Sequence, residues 1–192
     1  MKNACAAGRA SCLVEWADGT GLDGTGLDGT GRSALVVGCG LGYDAEFLAA
    51  RGFEVTAFDL APTAIAAAKR LYPDSPVCYL TADLLALPTA WAGRFDLVMG
   101  AYTVQPLYGQ VRADALAALP GLVAPGGSLL VIARATEEDD PVRDPAMMPW
   151  PLTRSELSLA GGTLRAHRIE QFMDGEDPPK LRWRAEFRRD AQ

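Results

Sequence analysis

Residues Ser33–Asp59 read SALVVGCGLGYDAEFLAARGFEVTAFD: a short apolar run, a glycine-rich turn, a helix-forming run and a second apolar run in direct succession. A strand–helix–strand unit of this length lays its two strands side by side and parallel, with the helix across one face. Asp44–Arg51 is helical by composition, and Gly52 stands where a helix is commonly closed. The rhythm then continues. Pro62 opens PTAIAAAKRLYP as a first-turn proline, PVCYLTAD and FDLVMGA read as strands, and VRADALAAL reads as a helix. APGG turns into the apolar strand SLLVIARA. Strands separated by helices of this size imply an α/β chain with a parallel sheet and helices on both faces.

The end of the chain departs from that rhythm. Thr153 and Glu156 have capping-box spacing for a short helix closed by Gly161 and Gly162. Two strand-like runs follow, Leu164–Phe172 and Leu181–Arg188, joined by the turn-rich DGEDPP. So short a connection predicts an antiparallel hairpin. In the last run Leu181, Trp183, Ala185 and Phe187 share one face, and Arg182, Arg184, Glu186 and Arg188 share the other. That alternation predicts a half-buried strand with a solvated basic face rather than a nucleic-acid patch.

A length of 192 residues, 49% of them hydrophobic, suits one well-cored domain. The net charge of −6 argues against nucleic acid as a partner, because phosphate binding needs a basic surface. No apolar run approaches the ~20 residues that span a bilayer, and no continuous apolar core precedes Arg9, so neither a membrane span nor a signal peptide is expected. Cys5, Cys12, Cys39 and Cys78 are scattered without a CxxC pair, which favours reduced thiols in a cytoplasm over disulfides or a metal site. Asp18–Gly31 repeats a five-residue DGTGL unit. Calcium-binding β-rolls have a nine-residue period, so a flexible linker is the expectation here. Residues 1–32 are accordingly read as a short N-terminal segment and linker, and 33–190 as the domain, expected to be monomeric.

Gly38, Gly40 and Gly42 stand two apart, and Asp59 follows seventeen residues later at the end of the second strand. Glycines there let the backbone turn tightly and a ligand approach closely. A carboxylate at the end of the neighbouring strand accepts hydrogen bonds from ribose hydroxyls. Asp83, ending the third strand, faces an adenine edge in such an arrangement. The dinucleotide fingerprint G-x-G-x-x-G rests a diphosphate on the helix N-terminus. In this chain the third glycine comes one residue early and Asp44 stands at the helix start, where it would repel a diphosphate and attract an ammonium. A ligand with both a ribose and an ammonium, such as S-adenosylmethionine, suits these residues better than NAD.

ALVVGCGLGYDAEFLAARGFEVTAFDLAPTAIAAAKR, TADLLAL, FDLVMGAYTVQPL and LVAPGGSLLVIARA together resemble the successive motifs of class I S-adenosylmethionine-dependent methyltransferases. GYDAEFLAARGFEVTAFD and MPWPLTRSEL are similar to the branch around thiopurine S-methyltransferase. The resemblance implies a Rossmann-like three-layer sandwich with a mostly parallel seven-stranded sheet ending in an antiparallel β-hairpin. It implies S-adenosyl-L-methionine as cofactor, held by Gly38, Gly40, Gly42, Asp44, Asp59 with Leu60, Asp83 with Leu84, and Ala101 with Tyr102. Two departures from the family pattern stand out. The acid usual two residues before the first glycine is Val36, which leaves Asp44 as the ammonium-facing candidate. Relatives also have longer N-terminal helices over the active site.

The methyl group on a sulfonium is already activated, so alignment and exclusion of water matter more than a base. Small thiols have pKa values near ~8.5, so an appreciable thiolate fraction is present without one. The implied function is methyl transfer to a small-molecule acceptor, with a thiol or other sulfur nucleophile favoured. Tyr43, Tyr102 and Trp150 are the candidates for aligning substrate and sulfonium, while His167 and Cys39 are read as structural. The acidic run Glu137–Asp140 is read as a solvated stretch. Two other readings stand beside this one: a non-catalytic or impaired cofactor-binding domain with a truncated lid, and an NAD(P)-dependent oxidoreductase.

Overall fold

The computed structural model describes residues 11–19, 26–137 and 148–191. Among these residues twelve α-helices and strands follow in order: α1 Ser11–Asp18, β1 Ser33–Val37, α2 Tyr43–Ala50, β2 Glu54–Asp59, α3 Pro62–Leu71, β3 Cys78–Thr81, β4 Phe95–Ala101, α4 Gly109–Ala118, β5 Val123–Arg134, α5 Arg154–Gly161, β6 Arg165–Met173 and β7 Leu181–Arg188. The strands form one seven-stranded sheet in the order β3-β2-β1-β4-β5-β7-β6. β1 pairs in parallel with β2 and β4, and β3 and β5 extend the parallel set on either side. β7 runs antiparallel to both β5 and β6. The order reverses at β1, so the crevice beyond its C-terminal end is the switch point where open α/β sheets bind ligands.

Local chemistry explains the elements. Ala34–Val37 is buried on both faces, as a central parallel strand must be. Gly52, at φ 90°, ends α2 in a conformation other residues avoid. The capping box of α5 forms as expected: the Glu156 N–H donates to the Thr153 hydroxyl at 3.1 Å, and the Thr153 N–H donates to Glu156 Oε2 at 2.9 Å. One core layer joins α1, α2 and α3 to the sheet, and the other joins α4 and α5 to its opposite face. This is the expected three-layer sandwich.

Two expectations need correction. The linker reading of Asp18–Gly31 includes residues 20–25, outside the described residues, but Leu27 is buried in the first core layer and its N–H donates to the Ala17 carbonyl at 2.7 Å. α1 itself buries Cys12, Leu13, Trp16 and Ala17 in that layer.

The polar face of β7 is also covered rather than solvated. Arg182 and Glu186 are each 5% exposed. Arg182 pairs with Asp174 at 2.6 Å and Glu176 at 2.7 Å, and Arg184 donates to the Cys12 carbonyl of α1 at 3.0 Å. Alternation reports that two faces differ, not what lies on each; here α1 and the β6–β7 connection cover the charged one. The acidic run 137–140 lies outside the described residues except for Glu137. Among the described residues, no helix is long and apolar enough to cross a membrane.

Candidate active site

The C-terminal ends of β1, β2 and β3 bring the glycine turn and two carboxylates together. Gly38, Gly40 and Gly42 have φ values of 65°, 53° and 88°. All three are left-handed, where a side chain costs about 1–2 kcal/mol. Their surroundings differ. A Cβ on Gly38 would lie 2.4 Å from Thr103, and one on Gly42 would lie 2.3 Å from the Tyr79 hydroxyl. A Cβ on Gly40 would meet nothing within 4 Å. Gly38 and Gly42 are therefore glycines because the protein packs against them, whereas Gly40 fronts open space of the kind a ligand would fill.

Asp59 ends β2 with both carboxylate oxygens engaged by the backbone. Gly40 N–H donates to Oδ2 at 2.9 Å and Ala61 N–H donates to Oδ1 at 2.9 Å. The carboxylate is thus fixed beside the turn, with lone pairs to spare for hydroxyl donors. Leu60, next in the chain, is 68% exposed at the open end of the strand. The Ala82 N–H bonds the Asp59 carbonyl at 3.1 Å, which holds the following residue, Asp83, nearby. Asp83 Oδ1 accepts the Leu85 N–H at 2.9 Å and caps a short 3-10 turn in which Leu84 is half-buried against the second core layer.

Asp44 lies in the first turn of α2, half-buried. Val36, at the position where the family pattern has an acid, is 3% exposed within the core. Its Cβ belongs to the face that packs against helices, so a carboxylate there would be buried. Cys39 is half-buried in the turn, and burial followed by the nearby Asp59 charge pushes its thiol up to about 12. Under Gly42, the Tyr79 hydroxyl donates to Glu46 at 2.7 Å, and burial raises its ionisation well above the usual phenol range.

The segment after β4 closes the other side of the turn. Ala101 ends the strand, Tyr102 takes φ 60°, and the Thr103 hydroxyl donates to the Val37 carbonyl at 2.6 Å. Thr103 thereby braces the segment against Gly38; sequence reasoning passed over it, because a lone threonine after a strand carries no pattern. The Tyr102 ring turns toward α1. Its hydroxyl lies 3.6 Å from Cys12 Sγ, and the Arg182 guanidinium stands 4.9 Å over the ring. Burial, then Cys12, raises its ionisation.

The three aromatic candidates do not converge. Tyr43 begins α2 and packs edge-on against Tyr72, with ring centroids 6.3 Å apart. Trp150, on the connection after β5, is 6% exposed and packs edge-on against Tyr108 of the post-β4 connection at 5.6 Å. Its backbone N–H donates to the carbonyl of Gln105 at 3.1 Å, and the fully buried Gln105 side chain accepts the Arg134 backbone N–H at 2.8 Å. Gln105 therefore clamps the loops after β4 and β5 at the same edge of the sheet. His167 is exposed near the start of β6, the outermost strand, level with the middle of β4 and β1 rather than with the C-terminal strand ends.

A family model described as a methyltransferase domain matches residues 35–131, half of the chain. The chain belongs to this family. It is 35% identical over 102 residues to an uncharacterized methyltransferase of Mycobacterium tuberculosis, a match covering 53% of this chain and 50% of that protein. An uncharacterized methyltransferase of Mycobacterium bovis matches with the same identity and coverage. The chain thus spans about half the length of the curated relatives it matches.

Among solved structures it resembles the N-methyltransferase NodS of Bradyrhizobium japonicum in complex with S-adenosyl-L-homocysteine, with TM-score 0.69 and 22% identity, covering 93% of this chain and 84% of that one. It also resembles the cyclase SpnF, with TM-score 0.72 and 15% identity over 95% and 80% of the two chains. A third likeness is to a structure described as converting a disulfide bond into a thioacetal group during echinomycin biosynthesis, with TM-score 0.65 and 23% identity over 82% and 75%. At these identities the likenesses establish the fold.

Proposed function

We propose that the protein is an S-adenosylmethionine-dependent methyltransferase acting on a small-molecule acceptor, with a sulfur nucleophile as the methylated atom. The observation that carries the reading is the open space in front of Gly40, bounded by Asp59, whose oxygens are pinned by the Gly40 and Ala61 N–H groups. A ribose at that position would meet a preoriented carboxylate, and the turn would give the amino-acid portion close access to backbone. Gly38, Gly42 and Asp44 would complete the cradle, Asp83, Leu84 and Leu60 would flank the adenine, and Ala101 and Tyr102 would border the reacting end.

S-adenosylmethionine supplies an activated methyl group, which an incoming sulfur takes as the old carbon–sulfur bond breaks. The protein then needs to align the acceptor and exclude water, not to remove a tightly held proton. The position of His167, exposed on the outermost strand and away from the C-terminal strand ends, supports an acceptor that requires no histidine base. The described part of α1 packs over the post-β4 segment, which supports a covered rather than an open site. The printed chemistry of the structural neighbours spans nitrogen methylation, a disulfide-to-thioacetal conversion and a cyclase. The preference for sulfur therefore rests on this chain, including its resemblance to the thiopurine S-methyltransferase branch.

The test is transfer of label from methyl-labelled S-adenosylmethionine to matched thiol, amine and alcohol acceptors. Label in the thiols supports the reading. Transfer to amines alone would remove sulfur, and cofactor binding without transfer to any acceptor would favour a non-catalytic domain.

A further inference from the structure

A second cavity, of about 250 Å³, opens at the other end of the sheet. It lies along the row in which Leu97 of β4 pairs with Ser128 of β5 and Ser128 pairs with Arg188 of β7. From Leu97 to Ala101, at the glycine-turn end of the same strand, is four residues, or about 13 Å at ~3.3 Å per residue. The two openings are therefore separate places on one sheet.

The cavity has apolar walls and a charged side. Trp16, Phe53 and Leu97 supply the apolar surface, and Arg32, Arg188 and Glu186 supply the charges. The buried Glu186 carboxylate is satisfied on both oxygens: Trp16 Nε1 donates to Oε2 at 3.1 Å and Arg188 Nε donates to Oε1 at 2.7 Å. Among the described residues, no acceptor takes a hydrogen bond from the terminal nitrogens of Arg188 or from the guanidinium of Arg32, which sits 5.7 Å from the Phe53 ring centroid. The carboxylates whose charge reaches Arg32 are Asp28 and Asp96, and each accepts bonds elsewhere, from Thr30 and from Ser33. The unspent hydrogen-bonding capacity of this cavity is thus almost all donor, from two guanidinium groups beside aromatic and aliphatic walls.

We infer that this cavity is a second ligand site, for a small organic carboxylate with an apolar body. Guanidinium donors match a carboxylate in geometry and charge. The volume is enough for a single-ring acid. A cation would find the Glu186 carboxylate, the one acid among the described lining residues, already paired on both oxygens. The site needs no assumption about what the glycine turn binds.

Benzoate is a suitable probe, and the indole N–H of Trp16 is the reporter, assigned in a two-dimensional amide spectrum by its loss in Trp16→Phe. Benzoate is expected to shift that resonance saturably at millimolar concentration or below, and to do so equally with S-adenosylhomocysteine at saturation. Benzyl alcohol and inorganic phosphate, each lacking one half of the recognition, are expected to bind at least about tenfold more weakly. Arg32→Gln should weaken benzoate by about tenfold. The Arg32 side chain makes no hydrogen bond within the described protein, and its backbone bonds to Gly29 and Glu54 are kept in the variant, so the variant keeps its fold, which the amide spectrum itself reports. No saturable shift at tens of millimolar benzoate would overturn the inference. So would equal binding of the alcohol, or of phosphate, or displacement by S-adenosylhomocysteine.

Discussion

Replacing Gly40 by alanine separates ligand contact from folding in the glycine turn, and comparison with Gly42→Ala calibrates it. Both residues are left-handed, so alanine at either costs about 1–2 kcal/mol of strain. At Gly42 the new methyl group lands 2.3 Å from the Tyr79 hydroxyl, which is tied to Glu46 and cannot move without losing that bond. Overpacking of this kind adds about 1–3 kcal/mol, for a total of about 2–5 kcal/mol. At Gly40 the methyl group meets nothing, and the cost stays at about 1–2 kcal/mol.

For a chain of this size each kcal/mol lowers Tm by about 2–4 °C, so Gly40→Ala should lose about 2–8 °C and Gly42→Ala about 4–20 °C. Binding should show its own penalty. If the space before Gly40 holds the cofactor, its methyl group intrudes on the ligand at about 1–3 kcal/mol, or about 5- to 150-fold in Kd. Thermal unfolding and calorimetric titration of both variants decide the matter. A Gly40→Ala protein that binds S-adenosylmethionine as tightly as the parent would refute the placement of the ligand, and equal destabilisation of the two variants would refute the reading of the turn.

Three further outcomes are expected. Asp59→Ala should lose about 1.5–3 kcal/mol of charge-assisted bonding to the ribose, about 10- to 100-fold in cofactor affinity, and a folded variant with unchanged Kd would contradict the assignment. Arg112 is fully buried, bonded to the Leu107 and Pro151 carbonyls and paired with Glu156 at 2.9 Å, so Arg112→Met should cost about 3–5 kcal/mol in urea unfolding, and a loss under about 1 kcal/mol would show that the loops hold without it. Because the folded Cys39 thiol is pushed from 9.0 up to about 12, its contribution to stability is complete below pH 9 and is lost as pH rises toward 12. Peptide mapping after alkylation near neutral pH should find exposed Cys78 modified and Cys39 spared until the protein unfolds.

The sequence was most legible where one residue type has one physical reason to occur. Apolar runs separated by helical segments specified the parallel order, Thr153 and Glu156 specified the capping box, and DGEDPP specified the antiparallel hairpin. Glycines at 38, 40 and 42 announced a turn, but the spacing alone did not separate Gly40, which faces open space, from Gly38 and Gly42, which face Thr103 and Tyr79. Covering elements were harder to read. The charged face of β7 looked solvated because α1 is short and precedes a glycine-rich repeat, so nothing in its composition announced that Trp16 would bond Glu186. Tyr43 and Tyr102 shared proximity in sequence to the turn, yet one ring packs on Tyr72 and the other reaches Cys12. Side-chain direction at an element's end is decided by tertiary neighbours, and no local pattern encodes it.

Titration calorimetry of the intact chain with S-adenosylmethionine, S-adenosylhomocysteine and NADH bears most directly on the claim that the glycine turn and Asp59 form a cofactor site. Micromolar binding of the first two, one molecule per chain, with no heat from NADH, is the expected result. Binding of NADH alone, or of none of the three by a chain shown to be folded, would contradict it.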